Sequence, residues 1–379
     1  MAAGIRVGID ATNIRTGGGI THLVETLAHG DAPSAGIARI SVWAPMHTLA
    51  RLPERPWLVK RNHPWQDGPL PLRRAWQALH LDRALARDAD VLLVPGGSYS
   101  GTFRPFVAMA QSLLPFDRAA RRQYPLSWMR LRNWLLARSQ GRTLRRADGA
   151  IFLTQYGRGL VERAIGGCQG RVAVIPLGAT PGVRPAPGGE GVSRPFRWVY
   201  VSTVDMYKNH DVVLQAVAEL HRRGLAATLD VVGAVYPPAG RRFERTLAAL
   251  DLPEGTVRRV GLVPAQEMPL LYSGYDGAVF ASGCESYGIP LVDGLGASLP
   301  TACARASTMP EIAGDAVEYF DPADAGSAAG AMARIMTDVG LRRRLAEAGP
   351  SVAARFDWAQ GAQSTLSFLA SFAQQPSFP

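Results

Sequence analysis

Cysteine is scarce in this chain of 379 residues. The three cysteines are Cys168, Cys284 and Cys303, an odd number, and no two of them have the CxxC spacing. Disulfide-stabilised folds need paired cysteines, and zinc sites usually present them as CxxC pairs. The sequence therefore argues against a disulfide framework and against a structural zinc site, and it favours a reducing compartment such as the cytoplasm.

Long hydrophobic runs are also absent. No stretch of about eighteen consecutive apolar residues occurs, which argues against a transmembrane helix. Residues 5–10 already have a strand-like pattern with no basic and apolar leader before them, so we expect no secretory signal. Hydrophobic residues make up 47% of the chain and charged residues 19%. This mix is typical of folded domains, and the length is sufficient for two of them.

Acidic residues are scarce between residues 101 and 170. This region has twelve arginines and only three acids, Asp117, Asp148 and Glu162, so it carries an excess of nine positive charges. The net charge of the whole chain is +10, and nearly all of it therefore lies here. Such a concentrated excess favours a polyanion or an anionic membrane surface as a partner.

Within this basic region, residues 126–138 combine two tryptophans with leucines and arginines. Aromatic rings and cationic groups together suit a lipid interface. An ordinary helix with a core-facing side and a solvated basic side has the same pattern, because amphipathicity alone does not distinguish a core from a bilayer. Both interpretations stay open, and the membrane hypothesis assigns docking to Arg121, Arg122, Trp128, Arg130, Arg132 and Trp134.

Short apolar strand patterns alternate with amphipathic helix patterns in two halves of the chain. The first half opens at residues 5–10 and the second at residues 198–201, and each opening continues into a loop and a helix pattern. Residues 176–195, rich in proline and glycine, separate the halves as a linker. This order predicts an α/β protein with two Rossmann-like domains, each a parallel sheet covered on both faces, that face a central cleft.

Three consecutive glycines, Gly17, Gly18 and Gly19, follow the first predicted strand. Ligands bind beyond the carboxyl ends of strands in open parallel sheets, and glycines let the backbone approach a diphosphate at the start of a helix. A tight strand-to-helix turn without a ligand is the alternative. The run does not match GxGxxG, which argues against a nicotinamide cofactor.

Two carboxylates, Glu285 and Asp293, flank a segment that contains Gly288 and Pro290. Glycine permits unusual backbone angles, and proline is favoured in the first helical turn, so this segment predicts a helix N-terminus whose free N–H groups attract phosphate. The flanking acids could then accept hydrogen bonds from sugar hydroxyls. An ordinary loop-to-helix junction, with an acid favoured by the helix dipole, remains possible on spacing alone.

The stretch from Tyr272 to Pro322 resembles the donor-site signature of family 4 retaining glycosyltransferases, which have the two-domain GT-B fold. Residues 272–280, 297–302, 309–312 and 316–322 follow in that family's order and at its spacing. One difference is Asp293, where the family usually has glutamate. The resemblance implies an acceptor-binding domain over residues 1–180, a nucleotide-sugar-binding domain over 181–355, and a helix over 356–379 that crosses back to the first domain.

The resemblance also implies roles for individual residues. Glu285 would contact the donor sugar and Asp293 the ribose, while Lys208 would bind the donor diphosphate and act with Glu285 in catalysis. Thr203 stands where the family usually has a second cation, an arginine. Further donor-binding residues would be Gly17, Gly18, Gly19, Thr203, Gly233, Val263, Tyr287, Gly288 and Ile289. Without the resemblance, Lys208 would be interpreted as a solvated surface lysine.

On the acceptor side, the family often has a His-Asp pair where this chain has Gln111 and Ser112. Glutamine cannot act as a general base, so Gln111 would orient a substrate by hydrogen bonds. The front-face mechanism usually proposed for such enzymes tolerates this change, because the departing phosphate oxygen takes the acceptor's proton. For His22 and His210, helix-surface positions are favoured over chemistry.

The resemblance thus implies a retaining glycosyltransferase that uses GDP-mannose or a UDP-sugar and a lipid-linked or polysaccharide acceptor in cell-surface glycan synthesis, such as that of lipopolysaccharide. No metal or other cofactor is expected, and no nucleic-acid partner. The protein is expected to be cytoplasmic and peripheral at the inner membrane face. The alternatives are a sugar-nucleotide epimerase or a non-catalytic scaffold on the same fold, and a basic nucleic-acid-binding protein.

Overall fold

The structure, a computed structural model, describes residues 4–185 and 195–373. These residues form two compact units. The first unit contains the chain up to Phe116, Leu126–Gly178, and the chain from Asp357 onwards; the second contains Asp117–Pro125 and Ala179–Phe356. Part of the predicted linker, residues 186–194, lies outside the described residues.

Seven strands and eight α-helices lie within the described residues 4–185. The strands are β1 (Ile5–Asp10), β2 (Ile37–Trp43), β3 (Leu58–Arg61), β4 (Val91–Val94), β5 (Phe106–Ala110), β6 (Gly149–Phe152) and β7 (Arg171–Val174). The helices are α1 (Gly18–His29), α2 (Met46–Leu49), α3 (Pro64–Asp67), α4 (Leu70–Trp76), α5 (Asp82–Asp88), α6 (Arg118–Arg122), α7 (Trp128–Arg146) and α8 (Gln155–Ile165). A π-helical turn, Gln77–Leu81, joins α4 to α5.

The first unit is built on a parallel sheet with strand order β3-β2-β1-β4-β5-β6-β7. Strands β4, β5 and β6 are short, wholly apolar and buried, which is typical of a sheet covered on both faces. The strand order reverses between β1 and β4, so the loops after these two strands lie at the switch point where such sheets bind ligands.

Six strands and eight α-helices lie within the described residues 195–373. The strands are β8 (Phe196–Val201), β9 (Ala227–Val232), β10 (Val257–Gly261), β11 (Gly277–Phe280), β12 (Thr301–Ala304) and β13 (Glu318–Phe320). The helices are α9 (His210–Arg222), α10 (Pro237–Ala248), α11 (Met268–Tyr272), α12 (Ile289–Gly296), α13 (Met309–Ala313), α14 (Ala325–Thr337), α15 (Val339–Ala353) and α16 (Trp358–Ala373).

The second unit has a parallel sheet with strand order β10-β9-β8-β11-β12-β13. The order reverses between β8 and β11, which makes the loops after these strands the switch point of this sheet. Helix α9 covers the sheet with the apolar face that the sequence predicts, because Val213, Ala216, Val217 and Leu220 are all buried.

The prediction of an α/β protein with two Rossmann-like parallel sheets is confirmed by this topology. Helix α16 belongs to the first unit, where Leu366 and Leu369 join the core around β1 and β4. The segment Asp117–Pro125 departs from a contiguous first domain over residues 1–180, because its side chains pack within the second unit. The acceptor and donor roles given to the two domains stay predictions.

Candidate active site

The loops that follow β8 and β11 lie next to each other at the switch point of the second sheet. The backbone N–H of Gly283 donates to the carbonyl oxygen of Tyr207 at 2.8 Å. The side-chain amide of Asn209 donates to the carbonyl oxygen of Ala281 at 2.9 Å. These two bonds join the β8 loop to the β11 loop and fix the position of the residues that the loops carry.

Lys208 in the β8 loop and Glu285 in the β11 loop form an ion pair between Nζ and Oε1. Their side chains are only 12% and 15% exposed, so Lys208 is not a solvated surface lysine. Burial alone would lower the pKa of Lys208, but the charge and hydrogen bond of Glu285 oppose this, and the net pKa is raised. Two side chains separated by 77 positions are thus brought together as a charged pair.

The loop that carries Glu285 is held by residues that the sequence interpretation missed. The Ser307 hydroxyl accepts from the backbone N–H of Glu285 and donates to its carbonyl oxygen, both at 2.9 Å. The Thr308 hydroxyl donates to the carbonyl oxygen of Tyr287 at 3.1 Å. Ser307 has a φ of 54°, which is uncommon for a non-glycine residue. Hydroxyl residues just after β12 were the only signal available in the sequence.

The predicted helix N-terminus after Glu285 is present. Helix α12 begins at Ile289 with Gly288 as its N-cap and proline in its first turn. Gly288 has a φ of 105°, and a Cβ there would lie 3.2 Å from Cε of Met309. Glycine is therefore favoured by both backbone conformation and space. The Tyr287 side chain is 2% exposed and packs edge-on against Phe356, so a role of Tyr287 in donor binding would involve its backbone.

Asp293 is buried, at 2% exposure. Its two carboxylate oxygens accept hydrogen bonds from the backbone N–H of Thr180 at 2.7 Å and from the Thr180 hydroxyl at 2.6 Å. Burial raises the pKa of Asp293 to about 6, although both hydrogen bonds act in the opposite direction. Contact of Asp293 with a ribose stays a prediction, and the ribose would have to compete with Thr180.

A cavity of about 200 Å³ lies at the carboxyl ends of β9 and β10, beside Gly233, one of the predicted donor-binding residues. It is lined by Val204, Val231, Gly233, Val235, Arg259, Val260 and Gly261. Gly233 has a φ of 148°, and a Cβ there would lie 2.4 Å from the carbonyl oxygen of Ser202. Val263 packs against a core cluster instead, and Thr203 is exposed on the β8 loop.

His210, expected on a helix surface, is buried at 4% exposure. Its ring stacks on Tyr200 with centroids 4.6 Å apart, and neither ring nitrogen has a hydrogen-bond partner within the described residues. Burial, with a smaller contribution from the nearby Lys208, lowers the pKa of His210 to about 3. The Tyr200 hydroxyl donates to the carbonyl oxygen of Lys208 at 2.7 Å. Tyr200, on which His210 stacks, therefore helps to fix the backbone position of Lys208.

The segment Asp117–Pro125 contacts both loops of this site. The Tyr124 hydroxyl donates to Oδ1 of Asp205 at 2.6 Å, and the same oxygen accepts from the backbone N–H of Met206 at 2.7 Å. Burial and the adjacent Asp117 carboxylate raise the pKa of the Cys284 thiol. Arg121 and Arg122 lie on α6 in this segment, and therefore belong to a different unit from Trp128 and Trp134.

In the first unit, the glycine loop after β1 lies beside Gln111 and His22. The side-chain amide of Gln111 donates to Nδ1 of His22 at 2.8 Å, and a Cβ on Gly19 would lie 2.9 Å from Gln111 Oε1. A Cβ on Gly17 or Gly18 would meet nothing within 4 Å, although Gly17 has a φ of 69°. His22 is 6% exposed rather than on the surface, and burial lowers its pKa to about 4.

Helix α7 exposes the aromatic residues whose position the sequence left open. Trp128 is 69% exposed and Trp134 43%, so neither belongs to a core. The guanidinium of Arg138 lies over the Trp134 ring, 4.2 Å from its centroid. The residues that α7 buries are Asn133, Gly141, Thr143 and Leu144. Across the described ranges 4–185 and 195–373, no helix is long and apolar enough to cross a bilayer, and no cluster of three potential metal ligands occurs.

Two curated relatives match part of the chain. O-antigen chain mannosyltransferase B of Escherichia coli is 27% identical over 113 residues, which is 30% of either chain. A D-inositol 3-phosphate glycosyltransferase of Corynebacterium jeikeium is 30% identical over 175 residues, 44% of this chain and 41% of the relative. The matched part thus spans less than half of the length of these relatives.

Solved structures match nearly the whole chain. Anabaena HepE in complex with UDP and glucose has a TM-score of 0.72 at 16% identity, with 97% of this chain and 100% of HepE covered. WaaG, a glycosyltransferase of lipopolysaccharide biosynthesis, has a TM-score of 0.72 at 15% identity, with 96% and 99% covered. Identities this low show only that the fold is that of GT-B glycosyltransferases.

A family model covers most of the second unit and the residues of the switch point described above. Residues 191–352 match the model of glycosyl transferases group 1, and this range includes Lys208, Glu285 and the start of α12. The match agrees with the resemblance carried by residues 272–322. Residues 191–352 thus have the sequence pattern of glycosyl transferases group 1, and the fold of the described residues is that of GT-B glycosyltransferases.

Proposed function

We propose that this chain is a retaining glycosyltransferase that moves a sugar from a nucleotide-diphosphate donor to a lipid-linked or glycan acceptor. The observation that carries the proposal is the Lys208–Glu285 pair at the switch point of the second sheet, beside the N-terminus of α12. A cation for the diphosphate and a carboxylate for the sugar hydroxyls are what such a donor requires.

Donor binding exchanges the partners of this pair. Lys208 leaves Glu285 for the diphosphate, which the backbone N–H groups of Gly288 and Ile289 also bind at the positive end of the α12 dipole. Glu285 then accepts hydrogen bonds from the donor sugar. These groups replace the divalent cation that other transferases use, so we propose that no metal is required. Thr203 supplies no charge, and Lys208 is the cation of this loop.

Transfer then follows a front-face course. The bond between the anomeric carbon and the diphosphate oxygen breaks, and the acceptor hydroxyl oxygen bonds to the same face of that carbon. The acceptor's proton passes to the departing phosphate oxygen, whose charge Lys208 and the α12 N-terminus stabilise. No side-chain base is required, which fits the neutral Gln111 and the strongly lowered pKa of His22.

The donor is GDP-mannose or a UDP-sugar. The Escherichia coli relative is by name a mannosyltransferase, and HepE was solved with UDP and glucose, so both donor classes occur among similar proteins. The cavity at the ends of β9 and β10 is the proposed site of the base. The acceptor class is supported in the same way, by the O-antigen relative and by WaaG.

Helix α7 is the proposed contact with an anionic membrane surface at the cytoplasmic face. Its first half exposes Trp128, Leu131, Trp134 and Leu135, and its second half carries the exposed residues Arg138, Arg142 and Arg145 on the same side. The helix contains no acidic residue. Exposed rings beside several cations are favourable at an anionic bilayer surface. The proposed surface is restricted to α7, because Arg121 and Arg122 belong to the second unit.

The test is calorimetric titration with GDP and UDP, followed by product analysis with the corresponding donor sugars. We expect one nucleotide to bind, and the bound donor to release its nucleoside diphosphate when a membrane extract supplies the acceptor. NMR of the product should show the anomeric configuration of the donor. Conversion of the sugar nucleotide without any acceptor would instead show an epimerase. Absence of binding by both nucleotides would contradict the proposal.

A further inference from the structure

Two arginines without acidic partners lie at the carboxyl end of β1 in the first unit. Arg15 is in the loop between β1 and α1, and Arg73 is on α4. Nη1 of Arg73 donates to Oδ1 of Asn13 at 2.9 Å, which ties α4 to that loop two residues before Arg15. Both residues therefore lie at the switch point of the first sheet, where such sheets bind ligands.

A chain of hydrogen bonds holds Arg73 in place. Asn13 Nδ2 donates to Oε1 of Gln77 at 3.2 Å, and Gln77 Nε2 donates to Oδ2 of Asp10 at 2.5 Å. The other oxygen of Asp10 accepts from the backbone N–H of Thr12 at 3.1 Å. Asp10 is 3% exposed, and both of its oxygens are thus occupied by neutral donors. The carboxylate positions the arginine through two amides but does not form an ion pair with it.

The positive charge at this place is not compensated. Within the described residues, no ion pair includes Arg15 or Arg73. Nε of Arg73 is buried and has no hydrogen-bond partner there. Burial, and to a smaller extent the like charge of Arg15, lower the pKa of Arg73. A bound anion would offset both the burial of the charged Arg73 and its unfavourable interaction with the like charge of Arg15.

We propose that Arg15 and Arg73 form a binding site for a phosphate group of the acceptor. Guanidinium groups bind phosphate through paired, charge-assisted hydrogen bonds, and within the described residues neither arginine forms an ion pair that a phosphate would have to displace. Space is available beside them, because a Cβ on Gly17 or Gly18 would meet nothing within 4 Å. The site rests on the proposed function, in which the first unit takes the acceptor.

A donor diphosphate is the other source of phosphate. Lys208 and the N-terminus of α12, proposed for the diphosphate, lie in the second unit, but the glycine loop predicted to approach it, residues 17–19, lies in the first unit together with Arg15 and Arg73. The two sources can be separated experimentally by filling the donor site first. Phosphate that still binds in the presence of saturating nucleoside diphosphate then reports the arginine pair.

The experiment is calorimetric titration of inorganic phosphate and pyrophosphate, at fixed ionic strength, into protein saturated with GDP or UDP. We expect saturable binding, weakened about tenfold or more in Arg15→Gln, since a charged hydrogen bond is lost. Arg15 makes no side-chain hydrogen bond or ion pair within the described structure, so this change should not disturb folding. Arg73→Gln should have a similar effect, and Arg73→Lys should restore binding only in part, because lysine lacks the planar fork.

The matched control is Arg74→Gln, which removes one positive charge from an exposed neighbour on α4. Phosphate binding by this variant should equal that of the parent. Equal phosphate affinity of Arg15→Gln and the parent, with an unchanged melting curve, would overturn the proposal. Loss of GDP and UDP binding in Lys208→Ala, with phosphate binding kept, would support it. If the parent binds no nucleotide but still binds phosphate through Arg15, the donor hypothesis fails and the phosphate site stands.

Discussion

The switch points of the two sheets differ in how their charges are arranged. At the ends of β8 and β11, a lysine and a glutamate bind each other in a site that is only slightly exposed. At the end of β1, two arginines face no acid within the described residues, and the nearby carboxylate of Asp10 is occupied by neutral groups. The second site is electrostatically satisfied without ligand and must exchange partners to bind one. At the end of β1, the charges of Arg15 and Arg73 have no acidic partner within the described residues, so an anion that binds there supplies one.

The largest expected effect is that of replacing Glu285, which removes the ion pair from the switch point of the second sheet. We predict that Glu285→Ala lowers kcat by about 100-fold to 1,000-fold, as loss of one transition-state contact does elsewhere. Removing Glu285 also leaves the largely buried Lys208 without its partner, so a loss of stability accompanies the loss of activity. Turnover and a melting curve should be measured together.

The double variant Glu285→Gln, Lys208→Met separates these two effects. It removes both charges at once, so its stability should return towards that of the parent while turnover stays low. The matched control is Glu267→Ala, at an exposed position of the second unit. Full turnover of Glu285→Ala at the parent's stability would rule out a catalytic role for Glu285.

How much of this could be predicted from the sequence depends on the distance over which each feature acts. Strand and helix patterns are local, and the two sheets follow from them. Lys208 and Glu285 were identified separately through the resemblance, but their mutual binding joins residues 77 positions apart and has no local pattern. The burial of His22 and His210 was predicted wrongly, because a polar residue at a helix start has no visible sign of what later packs over it.

The side-chain environment on which two other features depend was also inaccessible from the sequence. The pattern of Trp128 and Trp134 fits a core and a membrane surface alike, and only their exposure distinguishes these. The inclusion of Asp117–Pro125 in the second unit depends on contacts of Tyr124 with Asp205. A resemblance based on residues 272–322 carries no information on that segment.

Asp293 sharpens the comparison, because it lies in the same segment as Glu285 but has only neutral partners. Its pKa in the folded state, about 6, is above the value near 3.9 expected in the unfolded chain. Between these pH values the folded state binds more protons, so the free energy of unfolding falls as pH rises through this window. Above about pH 6 the whole cost, on the order of 2–3 kcal/mol, is present.

We therefore predict that Asp293→Asn stabilises the protein at neutral pH by an amount of this order, and that the difference vanishes below about pH 4. Asparagine can keep both contacts, since its Oδ1 accepts from the Thr180 N–H and its Nδ2 donates to the Thr180 hydroxyl. Denaturant unfolding from about pH 4 to 8, on parent and variant, measures this. A variant that is less stable than the parent at every pH would contradict the prediction.

Lys208 allows a controlled test of the exchange of partners, because the chain has only one other lysine, Lys60. We predict that Lys208→Ala weakens binding of GDP or UDP by about tenfold to 100-fold, since a charged contact to phosphate is lost. Binding of guanosine or uridine should hardly change. Lys60→Ala, in the first unit, should leave both affinities as they are. Equal weakening of nucleotide and nucleoside in Lys208→Ala would place Lys208 outside the phosphate site.

The smallest expected effect concerns the basic surface of the first unit. There, exposed aromatic rings on α7 lie beside arginines that form no ion pair within the described residues. We predict that the protein binds vesicles containing anionic lipid at low salt, and that Arg132→Glu, Arg138→Glu weakens this binding about tenfold or more, at roughly 1 kcal/mol per cation near the surface. Trp128→Ser, Trp134→Ser should also weaken vesicle binding, because it removes the apolar area that these exposed rings would bury in the lipid interface. The matched control is Leu262→Ser, Leu270→Ser, which removes two apolar side chains of the second unit that are 79% and 78% exposed. Co-sedimentation that is equal for all three variants and the parent would show that α7 does not dock on lipid, and a soluble glycan would then be the better acceptor.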